Sequence, residues 1–416
     1  MKFLLSFMFA ITLLFSSDAT IEVVKKVESM PSIAVEDSSV EYDDTFKMKF
    51  FKMLVSDLNV LSIFNVDKNY RLVNFDASNV AVENKDMHYV LRYKITKGTD
   101  GSFGVNVKLF SKNSVVLTKE YNVNNQRIFM FAAHSMAYDI NSFMGEAPVE
   151  WMKRKVIFSK MVSPQKSQII ISDYTLSYQH TIVAGGFNTF PKWANKEQSA
   201  FYYTSLDGAI PVLKHLDVTT GKISVIKSSD GMMICSDVSD DGSKLLLSMA
   251  PKGQPDVYLY DVKTKNLKQL TNYGGIDVNG QFMDNGKIAF VSDRAGNPNI
   301  FTVDINSGLV EQLVHYGKNN SACSAHGKYV VYKSRESSEL FTYNTFNLHL
   351  ISTQTDFIRR LTAVGVNEFP KFSVDGDAII FIKYYQGQSS IGIIRINHNK
   401  NFLFPLEGGK VQSIDW

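Results

Sequence analysis

From residue 151 onward the chain repeats itself. Four turn glycines share one context, in Asp240-Asp241-Gly242, Asp284-Asn285-Gly286, Ala325-His326-Gly327 and Val374-Asp375-Gly376, at intervals of 44, 41 and 49 residues. Each is followed by a short β-rich run: Leu245-Leu246-Leu247, Ile288-Ala289-Phe290-Val291, Tyr329-Val330-Val331-Tyr332 and Ala378-Ile379-Ile380-Phe381. Phe201-Tyr202-Tyr203 supplies the matching run one period earlier, without a glycine. A third run recurs at residues 257–261, 300–304 and 340–343, and a fourth ends alike in Leu270-Thr271, Leu313-Val314 and Leu361-Thr362. Four short antiparallel strands per period make one propeller blade, which cannot bury both faces alone and must stack on neighbours around an axis. At about 44 residues per period, residues 151–416 hold six blades and are too few for seven.

The last residues, Val411-Gln412-Ser413-Ile414-Asp415-Trp416, resemble the opening strand of a blade, as in Phe190-Pro191-Lys192-Trp193. With no blade to follow, they are expected to complete the first blade beside residues 156–158 and 169–171, so that the ring has no open edge. Ahead of the repeat, residues 20–149 mix periods. Phe46, Phe50, Met53, Leu54, Leu58 and Leu61 recur at helical spacing behind the capping candidates Asp43, Asp44 and Thr45. Residues 88–96, 103–111 and 115–123 alternate as strands, and a second helix is expected over 127–143, burying Ile128, Phe131, Ala132, Ser135 and Tyr138. Residues 30–39 show only Pro31 and polar residues around a small apolar group. The fold class is therefore an α+β N-terminal domain followed by an all-β six-bladed β-propeller.

The first 19 residues stand apart. Lys2 precedes an apolar run at 3–15 that is too short to span a bilayer as a helix, and Ser17-Asp18-Ala19 offers the small residues of a cleavage site. They read as a secretory signal, with no lipobox cysteine behind it, and the mature chain as a soluble exported protein. Lys+Arg number 44 against 41 Asp+Glu, a balance that argues against a nucleic-acid field over the whole surface. Only two cysteines occur, Cys235 and Cys323, which excludes a disulfide-stapled scaffold and reads as two separately buried thiols.

Catalytic signatures are missing: there is no G-x-S-x-G elbow, no H-E-x-x-H and no phosphate loop. The eight histidines form no close ligand pair, and the Asp-rich turns lack calcium-loop spacing, so no metal and no cofactor is expected. A propeller can nonetheless gather distant residues at its axis, which keeps open the alternative of an exported hydrolase or lyase acting on polysaccharide or peptide. In a propeller, the loops leading into the inner strands emerge at the same end as those between second and third strands. The first set holds Asn188, Thr189, Asn279, Asn319, Asn320, Asn367 and Glu368; the second holds Asp207, Gln254, Asp293, Arg294, Asn297 and Tyr385. Amides that donate and accept, with an arginine and tyrosine as anchors, make this rim the candidate protein-binding face.

In order after an α/β domain, Phe190-Pro191-Lys192-Trp193, the segment 239–245 (Ser-Asp-Asp-Gly-Ser-Lys-Leu) and above all 291–298 (Val-Ser-Asp-Arg-Ala-Gly-Asn-Pro) resemble the TolB family, periplasmic propellers of the Tol–Pal envelope system. Asp57-Leu58-Asn59 with Phe64, Ala133-His134 with Asp139-Ile140, and Asp173-Tyr174 match as well. The resemblance implies a non-enzymatic scaffold that binds the peptidoglycan-associated lipoprotein Pal through one rim and supports outer-membrane integrity and cell division. It also implies that Thr20, Ile21, Glu22, Val23 and Val24 form an N-terminal arm toward the inner-membrane protein TolA, and that the chain alone is monomeric, without nucleic acid and at the membrane only through partners. Three features depart from the family pattern: Ala325-His326-Gly327 lacks the acidic turn, Glu197-Gln198 replaces an Asp-Gly turn, and Thr175-Leu176 follows Asp173-Tyr174 where the family has a further Asp-Gly pair.

Overall fold

The computed structural model describes residues 30–336, 345–355 and 357–416; the leader at 1–19, the arm at 20–24 and the run at 340–343 lie outside them. The N-terminal domain is a five-stranded sheet ordered β2-β1-β3-β4-β5, with β1 Ser32–Asp37, β2 Asn65–Val66, β3 Tyr89–Lys97, β4 Phe103–Ser111 and β5 Ser114–Val123. Helices α1 (Asp44–Leu61) and α2 (Phe129–Phe143) pack on it. The Asp43 side chain accepts from the Phe46 N–H at 2.9 Å, satisfying one of the unpaired donors of the α1 first turn.

Two differences from the sequence reading have physical causes. Residues 30–39 hold β1, a strand inside the sheet that runs parallel to β3. Its charged end hides the signal, because Glu36 and Asp37 are buried among partners far away in sequence. Arg92 is fully buried with Glu36, at 2.8 Å, and Tyr70 donates to Asp37 at 2.8 Å. Helix α2 is rotated from the expected face. Met130, Ala133, His134, Ala137 and Ile140 are buried, while Ile128, Phe131, Ser135 and Tyr138 are only half-buried, because a histidine occupies the core side.

Six four-stranded blades follow. Blade two (Asn188–Trp193, Ala200–Ser205, Val212–Asp217, Ile223–Ser228) and blade three (Met233–Val238, Lys244–Met249, Asp256–Asp261, Leu267–Gln269) are each a separate antiparallel sheet. So is blade four (Asp277–Phe282, Lys287–Ser292, Asn299–Asp304, Val310–Gln312). Blade five (Lys318–His326, Tyr329–Glu336, Thr345–Ser352, Ile358–Arg360) touches blade six (Val366–Phe372, Ala378–Tyr385, Gln388–Arg395, Lys400–Pro405) through one parallel bridge, Phe346 to Val366. Its third strand includes Thr345–Ser352, paired with the second from Tyr329–Ser352 to Glu336–Thr345. In blade one the C-terminal strand Lys410–Asp415 pairs with Val156–Ser163, followed by Lys166–Ser172 and Gln179–Val183.

Buried side chains pack between the blades, beside hydrogen bonds such as Phe190 N–H to Ser413 Oγ and Phe282 N–H to Asp237 Oδ2, both 2.9 Å. Blades two and three share Leu213, Met233 and Leu247; blades three and four share Leu246, Ile288 and Phe290. The junction of blades six and one, through Ile380, Ile393, Phe158 and Ile414, merges with the core of the N-terminal domain. The repeated turn glycines have positive φ, as at Gly242 (71°) and Gly376 (71°), which a side chain disfavours. Blade two makes the same turn with Gln198 at φ 55°. Its amide compensates by donating to the Lys155 carbonyl at 2.7 Å and accepting from the Lys155 N–H at 2.9 Å.

Candidate protein-binding rim

All six inner strands carry a register shift, where an extra residue bends the strand and re-aims its side chains toward the axis. In four of them the shift places a non-glycine residue at positive φ: Phe190 (51°), Asn279 (56°), Ala322 (49°) and Phe369 (50°). Each such residue costs on the order of 1–3 kcal/mol and persists only where its surroundings over-determine it. Together with Met232, Ile234 and Val278 they line an apolar well of about 220 Å³ at the mouth of the channel. The Phe190 and Phe369 rings stand 6.3 Å apart across it. Cys235 and Cys323, both buried and free, share the wall, and burial pushes the Cys323 thiol up to about 12, so neither is a poised nucleophile.

The two loop sets do meet around this mouth. Leu206 N–H donates to the Phe187 carbonyl and Asp293 N–H to the Ile276 carbonyl, tying these second-to-third-strand loops to inner-strand loops, and Phe346 N–H in the third strand of blade five donates to the Gly365 carbonyl. The asparagines, however, mostly face inward. Asn188, Asn320 and Asn367 are buried, and their amides donate to the carbonyls of Gly185, Tyr316 and Val364 in their own loops. Thr189 is buried between the hydroxyls of Ser159 and Ser413. Asp207 accepts from the Phe187 N–H and Asp293 from the Ile276 N–H. These groups shape the rim.

Arg294 also serves the fold. It pairs with fully buried Asp277 at 2.7 Å, donates to Ser292 Oγ, and lies over the Tyr273, Phe290 and Phe301 rings. Burial raises the Asp277 carboxyl, and the guanidinium opposes that rise. Glu368 pairs with Lys333 at 3.0 Å. Asn297 and Tyr385 are exposed, Gln254 and Asn319 half-buried. Asn279 Oδ1 is buried against the well with no partner; the Oδ1 atoms of Asn320 and Asn367 are likewise buried and unpartnered in their loops. The apolar well itself went unread in the sequence, although Phe190-Pro191-Lys192-Trp193 has a near copy in Phe369-Pro370-Lys371-Phe372. That recurrence was the available signal.

Below the well a polar girdle crosses the channel. Lys192 of blade two sits between Asp415 of blade one (2.9 Å) and Asp237 of blade three (3.1 Å), while Lys371 of blade six donates to Gln281 of blade four (3.0 Å). Beyond it lies the other end of the propeller, where the N-terminal domain docks. Arg395 of blade six, fully buried, pairs with Asp377 and donates to the Val60 and Leu61 carbonyls at the end of α1. His134 of α2 bridges Asp57 of α1 (2.8 Å) and Asp173 of blade one (3.3 Å), all three without solvent exposure, and Tyr174 donates to Asp57. Burial works against a charged His134 ring, but the Asp57 and Asp173 carboxylates outweigh it and raise the ring to about 9. Burial in turn holds Asp57 above the usual carboxylate range. The histidine cluster escaped the sequence reading except as residues shared with a family.

Residues 152–416 match the family described as the TolB beta propeller domain. Among curated proteins, the chain is 46% identical over 424 residues to the Tol-Pal system protein TolB of Wolinella succinogenes, covering 100% of both chains. It is 43% identical to that of Helicobacter hepaticus, over 97% of each. The solved structure of TolB from Acinetobacter baumannii superposes with a TM-score of 0.74 at 20% identity, covering 92% of this chain and 97% of that one, which shows the same fold. These are names of a Tol-Pal system component, not of an enzyme. With a family match over most of its length and full-length relatives well above 30% identity, the chain belongs to the TolB family of Tol-Pal system proteins.

Proposed function

We propose that this protein is a periplasmic, non-enzymatic scaffold that binds the peptidoglycan-associated lipoprotein Pal at the open rim and so supports outer-membrane integrity and cell division. The leader at 1–19 exports it, the arm Thr20–Val24 reaches a TolA-like inner-membrane protein, and the chain alone is a monomer. The single observation that carries the rim assignment is the apolar well. Strained, re-aimed residues from several blades converge on it, and the unpartnered Asn279 oxygen lies beside it. Backbone strain concentrates at ligand clamps, and an apolar centre inside a polar rim is the anatomy of a protein interface. The solvent-facing members of the rim, Asp207, Gln254, Asn297 and Tyr385, supply the surrounding polar contacts.

The test uses Phe190→Gly with Phe369→Gly, since glycine accepts both backbone conformations without strain. Titration against purified Pal ectodomain should show a Kd raised about tenfold or more, a loss of about 1.4 kcal/mol, while the circular-dichroism melt changes little. Undiminished Pal affinity in the double variant removes the rim assignment.

A further inference from the structure

A second chamber, of about 540 Å³, opens on the far side of the girdle, at the end that carries the N-terminal domain. Its wall is polar, unlike the well, and includes Asn195, Ser239, Ser324 and Ser373. Four cations line it, Lys192, Lys371, Arg154 and Lys196, the last paired with Asp240. Lys192 is neutralised by Asp237 and Asp415 together. Neither Lys371 nor Arg154 forms an ion pair among the described residues. Lys371 donates only to Gln281 Oε1 at 3.0 Å and the Ser236 carbonyl at 3.5 Å. Arg154 gives one N–H to the Lys196 carbonyl at 2.9 Å, and its Nε is buried without a partner. Buried donors without acceptors are uncommon in native proteins and call for an explanation. Asp240 and Asp284 stay exposed at the lip, the former against Lys196.

We propose that this chamber is a second binding site, taking a small hydroxylated organic acid whose carboxylate is received by Lys371 and Arg154. A carboxylate fits better than phosphate for two reasons. Lys192 is already paired with Asp415 and Asp237, and Lys196 with Asp240, so Lys371 and Arg154 are the cations left to a ligand, and a dianion would crowd Asp415 and Asp237. The flat guanidinium also matches a planar carboxylate. Hydroxyl groups on the ligand suit the Asn and Ser side chains of the wall. Burial first, and then the neighbouring Lys192 charge, hold the Lys371 ammonium below the usual lysine range against the pull of Asp237 and Asp415. The chamber lies on the opposite side of the girdle from the well, and Lys192 and Lys371 line both.

Calorimetric titration of the full chain tests it with three probes: gluconate, sorbitol, which has the hydroxyls without the carboxylate, and inorganic phosphate. Gluconate should bind with Kd at or below about 1 mM, sorbitol not measurably, and phosphate more weakly than gluconate. Lys371→Met and Arg154→Gln should each weaken gluconate about tenfold, whereas Asp284→Asn at the lip should not weaken it. Should Lys371→Met fail to fold, Arg154→Gln and the gluconate–sorbitol difference decide. No gluconate binding in the unmodified protein, equal binding of sorbitol or phosphate, or unchanged affinity in Arg154→Gln overturns the proposal.

Discussion

The two ends of this propeller are built from the same blades and finished in opposite ways. At the end under the N-terminal domain, charged groups are buried and paired across the junction: His134 with Asp57 and Asp173, Arg395 with Asp377 and the last carbonyls of α1. At the other end, charge is spent on shaping loops, and the centre is left apolar and unfilled. Breaking a buried ion pair by removing one partner typically costs about 3–5 kcal/mol, because the remaining charge is stranded. The first end is therefore committed to holding domains together, while the second keeps its apolar surface available. The girdle through Lys192 separates them and ties blades one, two and three around the axis.

The largest expected effect comes from removing residues 411–416, which belong to both ends. Truncation takes away the inner strand of blade one, the Asp415 partner of Lys192, and the Trp416 ring that packs 5.5 Å from Trp151 beneath the N-terminal domain. Val411, Ile414 and Trp416 are all buried. Burial of a large apolar side chain contributes about 1.5–3 kcal/mol, so the loss approaches the whole stability of an ordinary domain. The truncated chain should show no cooperative melt at 25 °C by circular dichroism. A cooperative melt within a few degrees of the intact protein's would mean that the ring holds without its last strand.

A smaller effect separates the ends by pH. His134 is raised to about 9 from an ordinary value near 6.5, so its protonated form is favoured by folding. Its contribution is complete below about pH 6.5 and lost as pH rises through 9, a change on the order of 3 kcal/mol. Urea unfolding of the intact protein should weaken across that window, and His134→Gln should flatten the slope. Pal binding at the opposite end should change far less over the same range. An identical slope in the variant would assign the alkaline loss to other groups.

The contrast between the ends also explains what the sequence could and could not disclose. The blades were legible because a turn with positive φ needs glycine at a fixed period, as at Gly242 and Gly376, and each β-rich run follows at a fixed offset. The closing strand was legible from its likeness to other inner strands. Strand β1 was not, because Glu36 and Asp37 look solvent-exposed until Arg92 and Tyr70 arrive from elsewhere in the chain. The same limit hid the buried His134 cluster, whose partners lie 77 and 39 residues away. At the rim, sequence position named loops that the fold ties together but not the direction of their side chains. A bulge and a buried amide are decided by register, which composition does not carry.

That last distinction gives the smallest effect and the sharpest one. Arg294 and Asn297 sit in one loop and are both candidates for the binding rim. Asp277 is completely buried and depends on Arg294 for its counter-charge, while Asn297 is exposed. Arg294→Ala should lower stability by about 2 kcal/mol, less than for a fully enclosed pair because the arginine keeps some contact with water. Asn297→Ala should stay within about 0.5 kcal/mol of the intact protein. If the two variants melt together, the Arg294–Asp277 pair is not a support of the rim. If only Arg294→Ala destabilises, any fall in Pal affinity in Asn297→Ala reports the contact itself, free of the scaffold beneath it.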